Sequence, residues 1–271
     1  MSSNKVLRVA SLSLTHCGGR DYNEDAVDQC EAFGAVQLFM LADGAGGQGG
    51  GDVASKTALE TARQVFLGIP VFSPDTLELC MEKADEAIVF KQKSAPRLAH
   101  MASTFVALMI NAERGQALLG NLGDSRCYIF RGNQILAQSY DHSLVQRFID
   151  AGLYQAAKLR RHPRRNVLYA SLGANPERVS PYLTPTPIDL QVGDAVLLCS
   201  DGVWELLEDT QLCDLNQSSE TLEVWRDRLQ EQVAAVMPPD HDNFSAVLVR
   251  ILPHDLHGPD EEICTVRPLK N

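Results

Sequence analysis

Apolar residues in this chain of 271 residues fall into two rhythms. The first is the period of two, or the short continuous run, that marks strands. Val6 to Thr15 alternates, with Leu7, Val9 and Ser11 on one face and Arg8, Ala10 and Leu12 on the other. Gln37 to Ala42 is an uncharged run that reads as a buried strand, and Phe105 to Ile110 reads the same way. Gly115 turns that strand into another, which ends at Gly120-Asn121-Leu122-Gly123-Asp124. Tyr128-Ile129-Phe130 and Ile135-Leu136-Ala137 flank Arg131-Gly132-Asn133, a hairpin signal. Asp194 to Cys199 is a further buried strand, and Phe244 to Leu252 is the last.

The second rhythm is helical. Val53, Ala54, Ala58, Ala62, Val65 and Phe66 keep helical spacing behind Asp52, a candidate cap. Ser73-Pro74-Asp75 opens a helix with the core stripe Leu77, Cys80, Met81, Ala84 and Ile88. Ser143 to Ala151 makes a short helix stopped by Gly152. A helix around Glu220 to Val236 puts Leu222, Trp225, Leu229 and Val233 on one face.

Several strands stop abruptly in a carboxylate. Asp43 ends one and is followed by Gly44-Ala45-Gly46-Gly47-Gln48-Gly49-Gly50-Gly51; Asp201-Gly202 ends another. Taken alone, the first is readable as an ordinary strand-turn-helix corner. It also fits G-x-G-x-x-G, but Asp43 would set a negative charge beside a pyrophosphate, and no acidic ribose partner follows at the expected distance. A P-loop needs Gly-Lys-Ser/Thr, which is absent, and a calcium loop needs side-chain oxygens where Ala45 and Gly47 stand. The loop His16 to Asp25 adds Arg20, a forked donor suited to phosphate, and Glu24 and Asp25, with oxygens for a hard cation.

Glu24, Asp43, Asp124, Asp201 and Asp242 thus share one grammar: a strand end or connecting loop, flanked by Gly, Asn or another acid. Like charges gathered together repel unless cations neutralise them. Oxygen ligands without His or Cys point to Mg²⁺ or Mn²⁺ rather than zinc. A site spanning residues 24 to 242 would be divided by any domain boundary within it. One domain over residues 1–252 is therefore expected, followed by a polar tail at 253–271 in which His254 and His257 make a poor metal pair.

The net charge of −11 argues against a general nucleic-acid or anionic-membrane surface. Against that background Arg160-Arg161-His162-Pro163-Arg164-Arg165 is a basic knot, readable as a solvated loop or salt-bridged surface, or as a loop that attracts a phosphorylated, acidic partner. Seven scattered cysteines without a C-x-x-C pair read as reduced core thiols, and no long apolar span or signal-peptide core is present. A cytoplasmic monomer is expected.

The ordered set Arg20-x-x-Asn23-Glu24-Asp25, Ala42-Asp43-Gly44-Ala45-Gly46-Gly47, Ser103-Thr104, Gly120-Asn121-x-Gly123-Asp124-Ser125-Arg126, Ser200-Asp201-Gly202-Val203-Trp204 and Asp242-Asn243 resembles the bacterial members of the metal-dependent protein serine/threonine phosphatases, the PPM or type 2C group. The resemblance covers about residues 7 to 252. It implies an α+β, four-layer αββα sandwich: two antiparallel sheets face to face, helices outside, and a dinuclear metal site between the sheets. By carry-over Asp43 bridges both ions, Glu24 and the Gly44 carbonyl complete one, and Asp201 and Asp242 hold the other. Asp124 with Asp201 resembles the ligand pair of a weaker third ion, and Arg20 would bind the substrate phosphate.

The implied reaction is hydrolysis of phosphoserine and phosphothreonine in proteins by in-line attack of a hydroxide bridging two Mn²⁺ or Mg²⁺ ions. The substrates would be phosphoproteins made by a serine/threonine kinase. Residues 141–175 resemble a flap over the site, in which His162 is a candidate for substrate contact or proton transfer. Ala45 stands where many eukaryotic members carry a histidine, and Glu205 where relatives often carry Asp. A catalytically silent phosphoprotein-binding scaffold is the main rival, and retention of every main carboxylate speaks against it.

Overall fold

Strand alternation here has two buried faces, and that explains the continuous apolar runs. In a computed structural model, which describes residues 6–31, 36–46, 50–155, 159–160, 162–174 and 180–254, the chain runs through strands and helices in a fixed order. First come β1 (Leu7–His16), β2 (Asp25–Glu31), β3 (Val36–Ala45), α1 (Gly51–Gly68) and α2 (Pro74–Gln92). Then follow β4 (Ala102–Ser103), β5 (Phe105–Asn111), β6 (Gln116–Leu122), β7 (Arg126–Arg131), β8 (Gln134–Gln138) and α3 (Leu144–Asp150). The remainder is β9 (Tyr182–Leu183), β10 (Ile188–Asp189), β11 (Ala195–Cys199), α4 (Asp201–Trp204), α5 (Asp209–Ser218), α6 (Leu222–Val236) and β12 (Phe244–Pro253).

These strands form two antiparallel sheets, one ordered β1-β12-β11-β7-β8 and one β10-β6-β5-β3-β2, with β4 joined to β3 and β9 to β6. Odd-numbered Phe39 and Leu41 of β3 meet Val196 and Leu198 of β11 and Val247 and Val249 of β12 in the layer between the sheets. Even-numbered Leu38, Met40 and Ala42 turn outward onto α1 and α2. Leu197, Cys199, Ala246 and Leu248 turn outward from the other sheet onto Trp204, Trp225 and Leu229. The result is the expected α+β, four-layer αββα sandwich with helices outside. Parity also carries the chemistry: Asp43 continues the inward series 39, 41, and Asp25 the inward series with Val27.

The helices follow their sequence signals closely. The Ser73 hydroxyl accepts from the Thr76 N–H at 3.2 Å, and Leu77, Cys80, Met81, Ala84 and Ile88 are all buried. Ser143 caps α3 through the Gln146 N–H at 3.2 Å, and Gly152 stops it with a positive φ of 71°. One expectation is corrected. Asp52 does not cap α1: it lies inside the first turn and binds Lys56 at 3.0 Å, while Gly50 holds the cap position. The first amide of the helix is met from across the molecule, where Glu24 Oε1 accepts from the Gly51 N–H at 3.0 Å. That distant partner replaces a local cap. Six cysteines are free thiols, five of them buried; Cys264, His257 and the rest of the tail from 255 lie outside the described residues, as do Gly47, Gln48 and Gly49. Among the described residues no helix is long and apolar enough to cross a membrane.

Candidate metal centre

At the open end of the sandwich the turns of both sheets converge. Asp25 and Asp43 are register partners across β2 and β3. Asp43 is held by its backbone: its N–H donates to Thr104 Oγ1 at 2.9 Å, and its carbonyl accepts from Thr104 N at 2.8 Å and Ser103 Oγ at 3.0 Å. The pair Ser103-Thr104 therefore fixes where the Asp43 carboxylate emerges. Thr104 Oγ1 also meets Ser125 Oγ at 2.7 Å, which ties the Asp43 strand to the β6–β7 turn bearing Asp124. Gly123 makes that turn at φ 109°, and a Cβ there would come within 2.7 Å of Thr104. Gly44 is equally constrained: a Cβ on it would fall 2.0 Å from the Gly51 carbonyl.

The loop between β1 and β2 is placed by Asn243. Its side-chain oxygen accepts from the Glu24 N–H at 2.8 Å, and its amide donates to the carbonyls of Cys17 at 2.9 Å and Tyr22 at 3.0 Å. One buried amide thus organises the segment that carries Arg20 and Glu24. Asn243→Ala is expected to lower stability by about 2 kcal/mol, the cost of leaving such groups unpaired, and to weaken divalent-cation binding. Thermal unfolding with and without Mn²⁺ checks both effects.

The electrostatics show which carboxylates face one another. Burial pushes the Asp43 carboxyl well above the ordinary aspartate range, and Asp25, Asp201, Asp124 and Asp242 push it further in the same direction. Burial does the same to Asp201, with Asp124, Glu205, Asp242 and Asp25 adding to it. Asp124 is pushed up to about 7 by burial and by Asp141, against the opposing Arg126. Glu24 is raised by burial despite its bond from Gly51, with Asp242 and Asp52 contributing. Asp25, also pushed up to about 7 by burial, accepts from Ser200 Oγ at 2.8 Å and is fully buried as the first residue of β2. From the sequence Asp25 is legible only as a loop oxygen. Its signal lay in parity with Val27, which the acidic strand Asp25-Ala-Val-Asp-Gln-Cys-Glu obscured.

Three buried carboxylate oxygens in and beside this cluster, Asp25 Oδ1, Asp201 Oδ1 and Glu205 Oε1, have no hydrogen-bond partner. Buried acceptors without donors call for a cation. Among the described residues, no three His, Cys, Asp or Glu side chains already stand in coordinating positions. Asp242 has partners of its own: its Oδ2 accepts from Arg20 Nη2 at 3.0 Å and its Oδ1 from the Asn243 N–H at 2.8 Å. The donor set, all carboxylate and carbonyl oxygen, suits Mg²⁺ or Mn²⁺.

Glu24, Asp43, Asp124, Asp201, Asp242 and Arg20 are thus brought to one end of the fold, with Gly44 beside Glu24. His162 is not joined to them by any contact among the described residues. Its ring packs on Tyr154 with centroids 5.3 Å apart, and its Nδ1 accepts from the Arg164 N–H at 3.1 Å. Of the readings of the basic knot, the salt-bridged surface is the one found at Arg160 and Arg165. Arg160 is spent on Glu208, at 3.1 Å, and on Asp209, and Arg165 is spent on Glu205 at 2.5 Å.

A family profile described as protein phosphatase 2C matches residues 15–248. The serine/threonine phosphatase stp of Listeria welshimeri is 29% identical over 209 residues, covering 75% of this chain and 81% of that protein. The serine/threonine protein phosphatase PstP of Mycobacterium tuberculosis is 27% identical over 239 residues, covering 87% of this chain and 43% of PstP. Among solved structures, serine/threonine phosphatase Stp1 from Staphylococcus aureus superposes with a TM-score of 0.81 at 25% identity, covering 92% of this chain and 98% of Stp1. The catalytic domain of PstP in complex with two manganese ions superposes with a TM-score of 0.76 at 25% identity, covering 91% and 99%. With the profile spanning most of the sandwich, the chain belongs to the protein phosphatase 2C family.

Proposed function

We propose that the chain is a metal-dependent serine/threonine phosphoprotein phosphatase, acting as a monomer in the cytoplasm on the products of a serine/threonine kinase. One observation carries the reading: buried carboxylates from separate strands and turns face one another with unpartnered oxygens. The catalytic unit is residues 1–252 as one domain. Asp43 is the shared ligand of two divalent ions, with Glu24 and the Gly44 carbonyl on one and Asp201 and Asp242 on the other. Asp124 and Asp201 make a weaker third position.

When bound, such a pair supplies a water of lowered pKa and neutralises phosphoryl charge. The chain's own residues do the rest. Ser103 and Thr104 hold the Asp43 backbone, so the carboxylate cannot follow its charge outward. Asn243 holds the Arg20–Glu24 loop at a fixed distance from Asp242. Arg20, exposed and already paired with Asp242, exchanges that carboxylate for a phosphate, to which a guanidinium offers two parallel donors. His162 on the flap is the candidate for substrate contact.

The test is hydrolysis of p-nitrophenyl phosphate and of a phosphothreonine peptide with Mn²⁺ and after chelation. Mn²⁺-dependent turnover of both supports the reading. No turnover above background with Mn²⁺ would replace it with a silent phosphoprotein-binding scaffold. Arg20→Ala is expected to raise KM for the phosphopeptide about tenfold, the loss of roughly one charge-assisted contact, with a smaller effect on kcat. Steady-state kinetics checks this, and an unchanged KM contradicts the phosphate role.

A further inference from the structure

Glu205 is a buried acid at the rim of the cluster that the reading above leaves without a task. Its side chain is 7% exposed, and the Arg165 fork faces it: Nη2 donates to Oε2 at 2.6 Å, while Nε lies 2.5 Å from Oε1 as an ion pair without hydrogen-bond geometry. The pairing offsets the charge of Glu205, but Oε1 stays buried without a hydrogen-bond donor. Glu205 follows Asp201 by one helical turn, so the two side chains share a face. Its charge adds to burial in raising both Asp124 and Asp201, which puts it within reach of their field. Arg165 in turn feels Asp201 as well as Glu205. The stretch bearing Arg165 is tied to the cluster a second time, where Leu172 and Ser103 exchange backbone hydrogen bonds of 2.8 and 3.0 Å.

We propose that Arg165 is a positioning residue that sets the affinity of the Asp124/Asp201 position for a divalent cation by withholding Glu205 from it. This rests on the metal reading above. While the fork is closed, Asp124 and Asp201 face the position without a third charge. Opening it turns a further carboxylate toward the same cation. The cation and Arg165 therefore compete for one side chain. By linkage, a cation that draws Glu205 away loosens the hold on residues 162–174 by the same free energy.

The test is a Mn²⁺ titration of the full chain, stripped of metal, by calorimetry and by electron paramagnetic resonance of free Mn²⁺. The weak step is identified as the one lost in Asp124→Ala. Arg165→Met is expected to tighten that step about tenfold, the scale of groups that orient ligands, and to leave the tighter steps unchanged. Arg165→Lys is expected to fall between, since an ammonium is a point charge and not a fork. In a Glu205→Gln background the Arg165→Met effect is expected to vanish.

An independent readout needs no variant. Deuterium uptake at residues 162–174 of the wild-type chain is expected to rise as Mn²⁺ fills the weak step. Unchanged uptake overturns the proposal, as does an Arg165→Met effect that is absent or is equally large beside Glu205→Gln. In those cases the metal reading stands. A wild-type chain that binds no Mn²⁺ overturns both.

Discussion

Asp43→Asn is expected to lower turnover by about 10³-fold or more, equivalent to some 4 kcal/mol of barrier, while making the metal-free fold more stable. The two effects have one cause. Asn keeps the shape of the side chain, and the Thr104 and Ser103 bonds are to the backbone of residue 43, so the strand is undisturbed. What disappears is a buried charge that burial and four neighbouring aspartates already disfavour. Without metal that charge only destabilises; with metal it is the ligand both ions share. The variant is therefore expected to show a raised melting temperature in chelator and to lose most of the Mn²⁺-induced gain. Scanning calorimetry beside a p-nitrophenyl phosphate assay measures both. A variant that keeps wild-type turnover, or that is less stable in chelator, contradicts the role given to Asp43.

The metal-free protein is expected to lose stability as pH rises, the reverse of the usual carboxylate effect. Asp25 and Asp124 move from an ordinary value of 3.8 to about 7 in the folded state, and Asp43 and Asp201 are raised as well. Between those values the native chain holds more protons than the unfolded one. Stability is then full below about pH 4 from these groups and is lost as pH climbs through 7. A loss of a few kcal/mol corresponds to a fall in melting temperature of roughly 10 °C between pH 5 and pH 8 for a chain of this size. Saturating Mn²⁺ reverses the slope, because cations bind the deprotonated carboxylates and compete with protons for them. The slope in chelator is expected to be shallower in Asp43→Asn. A flat or rising metal-free profile would contradict the burial of these carboxylates as uncompensated charges.

Much of this arrangement is legible in the chain because its physics is local. A strand buried on both faces must be apolar throughout, so the run Gln37 to Ala42 declares itself, and the carboxylate that ends it falls on the inter-sheet face by parity. The Ser73-Pro74 and Ser143 caps are local hydrogen bonds and appear where the sequence puts them. What was not legible depends on distant partners. Asp52 was passed over as a cap because Glu24, across the molecule, serves the Gly51 amide. A salt-bridged basic knot was legible as one reading, but not its partners, because its acids, Glu205, Glu208 and Asp209, lie far along the chain. Helix α5 went unread because its interior is polar, with Leu212, Cys213 and Leu215 as its apolar core contacts; the capping box of Glu208 and Gln211 was the local signal for it. β2 was hidden by its charges, and with it the burial of Asp25.

The central claim is that carboxylates from far-apart segments meet in one pocket around paired divalent ions. Anomalous diffraction from a crystal soaked in Mn²⁺ tests it most directly. Two strong manganese peaks sharing Asp43 are expected, one completed by Glu24 and the Gly44 carbonyl and the other by Asp201 and Asp242. Manganese bound elsewhere, or Asp43, Asp201 and Asp242 pointing to separate places with metal present, would contradict it.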